Sequence, residues 1–173
     1  GRLIALWQAQ TVPDTAALSA AKRASGHDKV ALSADRSSLT LRDGAMLHFG
    51  AIAKGAASDA LYRALTARGI KSAILSLGGN IVALGTKPDG SDWTVGVRDP
   101  DGGENDYLAT IPVTDRFVVS SGDYERFFEQ DGVRYHHILD PKTGYPAQND
   151  LRSTTIVAKN GAMADAYSTA LFV

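Results

Sequence analysis

The chain between residues 72 and 158 is a succession of short apolar or alternating segments separated by turn signals, and this succession constrains the fold most strongly. Two of its turns, Gly78-Gly79-Asn80 and Asp131-Gly132, have the composition of hairpins, which join neighbouring antiparallel strands. The segments that we interpret as strands are SAILSL, IVALG, WTVGVRDP, LATIPV, RFVVSSG, VRYHHILD and STTIVA. Many consecutive strands with few helices favour a mainly antiparallel sheet.

Apolar residues at helical spacing occur on either side of these strands. The spacing predicts short antiparallel strands within Val30–Phe49 and three helices, within Pro13–Gly26, over Ile52–Arg68 and behind Asn160-Gly161. The apolar pattern of the central helix is broken mainly by Asp59. Helices packed beside a mainly antiparallel sheet define an α+β fold, and 173 residues suit one domain with a core of its own.

Composition excludes several classes of function. The net charge of −1 gives no electrostatic basis for binding nucleic acid or an anionic membrane surface. The chain has no cysteine, which rules out disulfides, thiolate metal sites and thiol nucleophiles. Because it begins at Gly1 and stops at Val173 inside an apolar helical pattern, we expect an excerpt that is truncated at both ends.

The last helix carries the residues that best suit a metal ion. Asp165, Ser168 and Thr169 lie at positions i, i+3 and i+4, so one carboxylate and two hydroxyls share a helix face. Mg²⁺ prefers such oxygen ligands and completes its shell with water and substrate phosphates. The alternative is that Asp165 only favours the helix dipole, while the two hydroxyls bond to carbonyls one turn earlier.

Two glycine-rich segments are candidates for binding a ligand. Lys54 lies between Gly50 and Gly55 at the predicted start of the central helix, where unpaired N–H groups attract phosphate. The segment is not a Walker loop, because no Lys-Ser/Thr pair follows the second glycine. The alternative is a closely packed helix start with a solvated lysine. Gly78 and Gly79 form either a tight turn or a glycine floor for a flat ligand.

The segment RYHHILDPKTGYP is a candidate for proton transfer. His136 and His137 face opposite sides of a strand, so at most one of them readily enters a given pocket. A histidine there can accept a proton near neutral pH, and Asp140 starts a polar turn close by. The alternative is a histidine pair on an edge strand followed by an Asp-Pro turn. We interpret Ser121-Gly122 as a turn that lines a pocket, since the GxSxG elbow of a serine nucleophile is missing.

In their order, the motifs GAIAKG, LGGN, WTVGVRDP, SSGDYER, HHILDPKTGYP and ADAYSTALFV resemble the FAD:protein FMN transferase family, also called the ApbE-type flavin transferases. The resemblance runs from about Leu3 to Val173, and it implies that the usual domain begins well before Gly1. It also implies that FAD is cleaved in the presence of Mg²⁺, that the FMN phosphate joins a threonine or serine hydroxyl of an acceptor protein, and that AMP is released. Typical acceptors are flavin-carrying subunits of membrane redox pumps. The implied location is the bacterial envelope, on the periplasmic side of the inner membrane, often as a lipoprotein.

The resemblance also assigns roles to residues of this chain. It gives the metal to the carbonyl of Ala51 and to Asp165 and Thr169, with Ser168 nearby. It gives proton transfer to His137, supported by Asp140. The expected FAD contacts are Lys54, Asp59, Gly78, Gly79, the backbone around Ile138, and His48, which stands where family members often have an acid. Two other readings remain open: a hydrolase that splits FAD into FMN and AMP, and a flavin-binding module without turnover.

Overall fold

A computed structural model describes residues 1–103 and 105–173, which form two compact units. The first unit contains residues 1–48, 123–149 and 173, and the second contains residues 49–122 and 150–172. Every strand pair in the described residues is antiparallel. The prediction of an α+β fold with a mainly antiparallel sheet is therefore confirmed.

The described residues of the second unit form two helices and six strands. The helices are α3 (Ala53–Ala67) and α4 (Gly161–Phe172), and the strands are β3 (Ala73–Leu77), β4 (Asn80–Leu84), β5 (Trp93–Arg98), β6 (Tyr107–Val113), β7 (Arg116–Gly122) and β10 (Ser153–Ala158). Four strands form one sheet in the order β10-β7-β4-β3, and β5 pairs with β6. Because successive strand residues point to opposite faces, the sheet contributes to two apolar clusters. Val82, Phe117 and Val119 pack with Ala164 of α4, whereas Ala83 and Val118 pack with Val95 and Val113 of the β5–β6 hairpin.

The first unit contains α1 (Arg2–Trp7), α2 (Thr15–Arg23), and the hairpins formed by β1 (Val30–Leu32) with β2 (Leu39–Leu41) and by β8 (Phe127–Gln130) with β9 (Val133–His136). Trp7 is buried and makes polar and aromatic contacts inside this unit. The Trp7 indole N–H donates to the Gly144 carbonyl at 2.8 Å, and the ring stacks on Tyr135 with 5.6 Å between centroids. This six-residue helix was not predicted, because its terminus carries no side-chain cap and the segment is too short for a clear period.

Local signals explain the starts of α2 and α4 and the turn between β8 and β9. The Asp14 carboxylate accepts the N–H of Ala17 at the start of α2, and the Asn160 amide oxygen accepts the N–H of Met163 at the start of α4. Asp131 and Gly132 both have positive φ and connect β8 to β9 as a two-residue turn, as predicted.

The prediction for Ser121-Gly122 was wrong. Ser121 and Gly122 do not form a turn: they are the last two residues of β7, and they pair with Thr154 and Ser153 of β10. The Ser-Gly sequence resembles a turn signal, but the ladder to β10 keeps this backbone extended. Among the described helices, none combines the length and apolar character needed to cross a bilayer.

Candidate functional site

The centre of the candidate site is the crossing of α3 and α4. A side chain on Gly55 would overlap the carbonyl oxygen of Gly161, and one on Gly161 would lie 2.6 Å from the carbonyl oxygen of Gly55. The two helix backbones therefore touch directly, which only glycine at both positions allows. This contact accounts for Gly55 in the GAIAKG motif: the glycine brings the start of α3 against α4.

The close approach lets Asp165 of α4 bind the first turn of α3. Its Oδ2 accepts the N–H of Gly55 at 2.8 Å, and the Asp165 side chain is only 3% exposed. In a regular helix that N–H would donate to the carbonyl of Ala51, four residues earlier. No backbone hydrogen bond of the described residues ends on the Ala51 carbonyl. One hydrogen bond thus fixes the Asp165 carboxylate and leaves the Ala51 carbonyl without its helical donor.

A reciprocal contact connects the same helices in the other direction. The two carboxylate oxygens of Asp59 accept the N–H groups of Gly161 at 2.7 Å and Ala162 at 2.9 Å, at the start of α4. A carboxylate at a helix N-terminus is stabilised by charge-assisted hydrogen bonds and by the helix dipole. Asp59 therefore has a structural role that explains the break in the apolar pattern, and its assignment to FAD stays a prediction.

Hydroxyl groups surround the same part of α4. Ser168 Oγ donates to the Asp165 carbonyl at 2.9 Å, and Thr169 Oγ1 approaches that carbonyl at 3.4 Å. The Ser168 contact is the back-bond that the alternative interpretation of the helix required, whereas the Thr169 contact is near the limit of hydrogen-bond distance. Ser121 of β7 adds a third hydroxyl, 2.8 Å from Ser168 Oγ and 3.3 Å from Thr169 Oγ1.

The oxygens at this crossing fit a hard divalent cation. Asp165 Oδ1 has no hydrogen-bond partner among the described residues, and it lies on the same helix face as the Thr169 hydroxyl. The part of the chain that the structure describes holds no group of three His, Cys, Asp or Glu side chains suited to a metal. A cation here would depend on one carboxylate, a hydroxyl and a carbonyl, and would complete its shell with water and ligand oxygens, as Mg²⁺ does.

Lys54 extends from the first turn of α3 to the β3–β4 hairpin. Its Nζ donates to the Gly78 carbonyl at 3.1 Å, so the lysine and the glycine turn predicted as FAD contacts do lie together. Gly78 and Gly79 both have positive φ, and a Cβ on Gly79 would meet nothing within 4 Å. The hairpin therefore presents an open backbone surface beside an ammonium group, which suits an anionic ligand.

The predicted turn is one residue shorter in the structure, because Asn80 is the first residue of β4. Asn80 is 1% exposed, and neither polar atom of its side chain has a hydrogen-bond partner among the described residues. Asn80 is two residues before Val82 in the same strand, so both side chains point to the same face of the sheet. That face packs against the helices. The LGGN motif contained this residue, but a Gly-Gly-Asn sequence gave no signal that the amide would be buried.

The histidine pair lies in the first unit, and its two members differ. His136 is buried, with Nε2 2.9 Å from the Ala147 carbonyl and Nδ1 accepting the Ile138 N–H at 3.3 Å. These contacts fit the neutral Nε2–H tautomer and give His136 a structural role. His137 is exposed, and its Nδ1 lies 3.2 Å from the Arg126 carbonyl. Since a carbonyl only accepts, Nδ1 of His137 carries a proton, and Nε2 is the basic atom of the neutral ring.

The other predicted residues of the first unit have these positions. Asp140 Oδ1 accepts the Lys142 N–H at 2.8 Å in an Asx turn, and the Ile138 carbonyl accepts the Ala147 N–H at 2.9 Å. His48 and His137 both line a cavity of about 380 Å³, together with Arg126 and the aromatic side chains of Trp7, Phe128 and Tyr135. The structure thus brings His48 and His137 together, and the support of His137 by Asp140 stays a prediction.

The predicted site residues are divided between the two units. Ala51, Lys54, Asp59, Gly78, Gly79, Asp165, Ser168 and Thr169 belong to the second unit, and His48, His137, Ile138 and Asp140 belong to the first. Sequence reasoning missed Ser121 and Asn80 as site residues of the second unit. Strand alternation places both on the helix-facing side of the sheet, but only the strand register brings Ser121 to α4.

Comparison with known proteins agrees with the motifs. The whole chain, residues 1–173, matches the ApbE family. It is 49% identical over 138 residues to an FAD:protein FMN transferase of Treponema pallidum. This match covers 75% of this chain and 38% of that protein. It is also 36% identical over 177 residues to an FAD:protein FMN transferase of Klebsiella pneumoniae. This match covers 99% of this chain and 54% of that protein.

Solved structures show the same likeness. The crystal structure of the ApbE protein from Thermotoga maritima superposes with a TM-score of 0.93 at 37% identity, over 100% of this chain and 57% of that one. The apo form of the flavinyl transferase ApbE from Pseudomonas stutzeri has a TM-score of 0.83 at 34% identity, over 99% and 54% of the two chains. The chain spans about half the length of the curated relatives it matches. By sequence and by fold, the chain belongs to the ApbE family.

Proposed function

We propose that this chain carries the site of a Mg²⁺-dependent FAD:protein FMN transferase, which moves FMN from FAD to a threonine or serine hydroxyl of an acceptor protein and releases AMP. The observation that carries the proposal is the Asp165 carboxylate, held by the start of α3 with one oxygen unused beside the Thr169 hydroxyl. The names of the curated relatives, FAD:protein FMN transferase, support the same reaction.

The residues of the second unit bind and orient the phosphates. The cation would be held by Asp165, Thr169 and the carbonyl of Ala51. Ser168 lies nearby and donates to the Asp165 carbonyl. When bound, Mg²⁺ neutralises charge on the phosphate oxygens and orients them for displacement. Lys54 adds a fixed positive charge beside the open Gly78-Gly79 backbone. Such a reaction needs positioning and charge neutralisation more than a protein nucleophile.

His137 of the first unit is the proposed proton acceptor. The contact of its Nδ1 with the Arg126 carbonyl fixes the tautomer in which Nε2 is basic. The acceptor hydroxyl oxygen forms a bond to the FMN phosphorus, the bond from that phosphorus to the AMP oxygen breaks, and AMP leaves with the electron pair. The hydroxyl proton passes to His137.

The test is the intact mass of a candidate flavin-acceptor domain after incubation with the protein and FAD, with Mg²⁺ or with a chelator. We expect a gain of one FMN that requires Mg²⁺ and is lost in Asp165→Ala but kept in Asp150→Ala, an exposed aspartate used as the control. Free FMN and AMP without a mass gain would support hydrolysis instead. Unchanged transfer by Asp165→Ala would contradict the metal assignment, and no consumption of FAD would favour a binding module.

A second variant tests the proton acceptor. His137→Ala should slow transfer more than it weakens FAD binding, because the histidine acts on the acceptor hydroxyl. Equal effects on both quantities would make it a binding residue. We also infer, from the resemblance alone, that the acceptor is a flavin-carrying subunit of a membrane redox pump and that the protein works on the periplasmic side of the inner membrane.

A further inference from the structure

We propose that Ser121 of β7 is a positioning residue for the cation site, because it receives the Thr169 proton and turns the lone pairs of Thr169 Oγ1 toward the cation. The inference rests on the proposed function, since it concerns the same cation. It concerns a strand residue that contributes no ligand, and it follows from the contacts that Ser121, Ser168 and Thr169 make with one another and with the Asp165 carbonyl.

The position of Ser121 is set by the sheet. Ser121 pairs with Thr154 of β10, and strand alternation places its side chain on the same face as Val119, which packs against Ala164 of α4. Ser120 points to the opposite face, where its Oγ lies 2.8 Å from Thr155 Oγ1. Adjacent serines thus make hydroxyl pairs on opposite sides of one strand, and only the pair that involves Ser121 reaches the candidate site.

The proton directions follow from the number of protons available. A hydroxyl has a single proton, and Ser168 uses its own on the Asp165 carbonyl at 2.9 Å. The 2.8 Å contact between Ser121 and Ser168 allows either hydroxyl as donor, and with the Ser168 proton on the Asp165 carbonyl the proposed relay makes Ser121 the donor. With its proton committed, Ser121 Oγ accepts from Thr169 at 3.3 Å.

This relay determines how Thr169 presents its oxygen. In the proposed relay the Thr169 proton goes to Ser121 Oγ at 3.3 Å rather than to the Asp165 carbonyl at 3.4 Å, which is the other acceptor that the described residues offer it. With the proton directed inward, the lone pairs of Oγ1 face away from the strand and are available to a cation. Partners that orient a ligand in this way commonly change metal affinity by about ten-fold to a hundred-fold when they are removed.

The test measures metal affinity rather than turnover. Mn²⁺ alone is titrated into the protein without FAD, and free Mn²⁺ is followed by its electron paramagnetic resonance signal. We expect Ser121→Ala to weaken binding about ten-fold, and Ser121→Thr, which keeps a hydroxyl, to restore it. Ser121→Cys keeps most of the side-chain volume with a weak hydrogen-bonding group, so it separates lost orientation from lost packing.

Two control variants remove hydroxyls outside the relay. Ser120→Ala removes the pair on the other face, and Thr154→Val removes the hydrogen bond from Thr154 Oγ1 to the Ser168 carbonyl, which also attaches α4 to the sheet. Both should bind Mn²⁺ like the wild type, and thermal unfolding checks that every variant is folded.

The outcomes separate the inference from the proposed function. Wild-type affinity in both Ser121→Ala and Ser121→Cys, with binding still lost in Asp165→Ala, would overturn the role of Ser121 and leave the cation site standing. Equal weakening by Thr154→Val would also overturn it, because attachment of α4 would then be sufficient. Absence of Mn²⁺ binding by the wild type, or unchanged binding by Asp165→Ala, would overturn the cation site together with the inference.

Discussion

Replacement of Gly55 by alanine tests the helix crossing on which the site depends. The new Cβ would overlap the carbonyl oxygen of Gly161 and lie 2.6 Å from its carbonyl carbon and 2.7 Å from Asp165 Cβ. Ordinary carbon contacts begin near 3.4 Å, so α4 must move away by roughly 1 Å. All three atoms are backbone atoms or a Cβ, so a change of rotamer cannot relieve the overlap.

The expected magnitude follows from two opposing terms. Overpacking of a tight contact costs about 1–3 kcal/mol, and the upper end applies here because backbone atoms must move. Alanine is the better helix former and returns about 1 kcal/mol. The net loss in the free energy of unfolding is therefore about 2 kcal/mol, which lowers the unfolding temperature of a chain of this size by roughly 4–8 °C.

The assay is thermal unfolding followed by circular dichroism, with a chelator present so that bound metal does not contribute. Ala57→Gly, at an exposed position of the same helix, is the control and should lose only the propensity term of about 1 kcal/mol. The double variant Gly55→Ala with Gly161→Ala should lose less than the sum of the single losses, since separated helices accommodate the second methyl. A Gly55→Ala protein as stable as the wild type would refute the close crossing.

Three further predictions concern other groups of the second unit. Asp59→Ala should lower the free energy of unfolding by about 3 kcal/mol, because it leaves two N–H groups of α4 without their carboxylate; urea unfolding measures this, and a loss below about 1 kcal/mol would contradict the capping role. Burial and the hydrogen bond to Asp115 raise the pKa of Tyr62, so the stability that this group contributes is present below about pH 10 and is lost as the pH rises through the folded-state pKa. In absorbance titration one tyrosine should therefore ionise later than the rest, and Tyr62→Phe should remove that late step; the same late step in the variant would contradict the assignment. Asn80→Leu should raise the free energy of unfolding by about 1–2 kcal/mol in urea denaturation, since it removes an unpaired buried amide. A lower free energy of unfolding in this variant would contradict the prediction and show that ordered water binds the amide.

The sequence predicted the local parts of this fold well. Asp165, Ser168 and Thr169 lie on one helix face because helical spacing depends on nearby residues alone, and the Asp131-Gly132 turn follows from two residues that tolerate positive φ. The start of α4 was equally visible in the Asn160-Gly161 pair. In each of these cases the determining interaction spans only a few positions of the chain.

The parts that escaped prediction depend on distant residues. Asp59 was visible as a break in an apolar pattern, but its partners are more than a hundred positions away, at the start of α4. Ser121 was interpreted as part of a turn, because Ser-Gly is common in turns and the pairing with β10 has no local signal. Asn80 was assigned to the wrong side of a turn boundary, where one residue decides between exposure and burial.

The reciprocal carboxylate contacts between α3 and α4 have a consequence for folding kinetics. The bond between Gly55 and Asp165 joins residues 110 positions apart, and the bond between Gly161 and Asp59 joins residues 102 positions apart. Closing such long loops costs chain entropy before any contact repays it, so neither helix end can be completed early. In a refolding experiment, divalent-ion binding at the proposed cation site should therefore recover in the slowest phase, after the hairpins have formed.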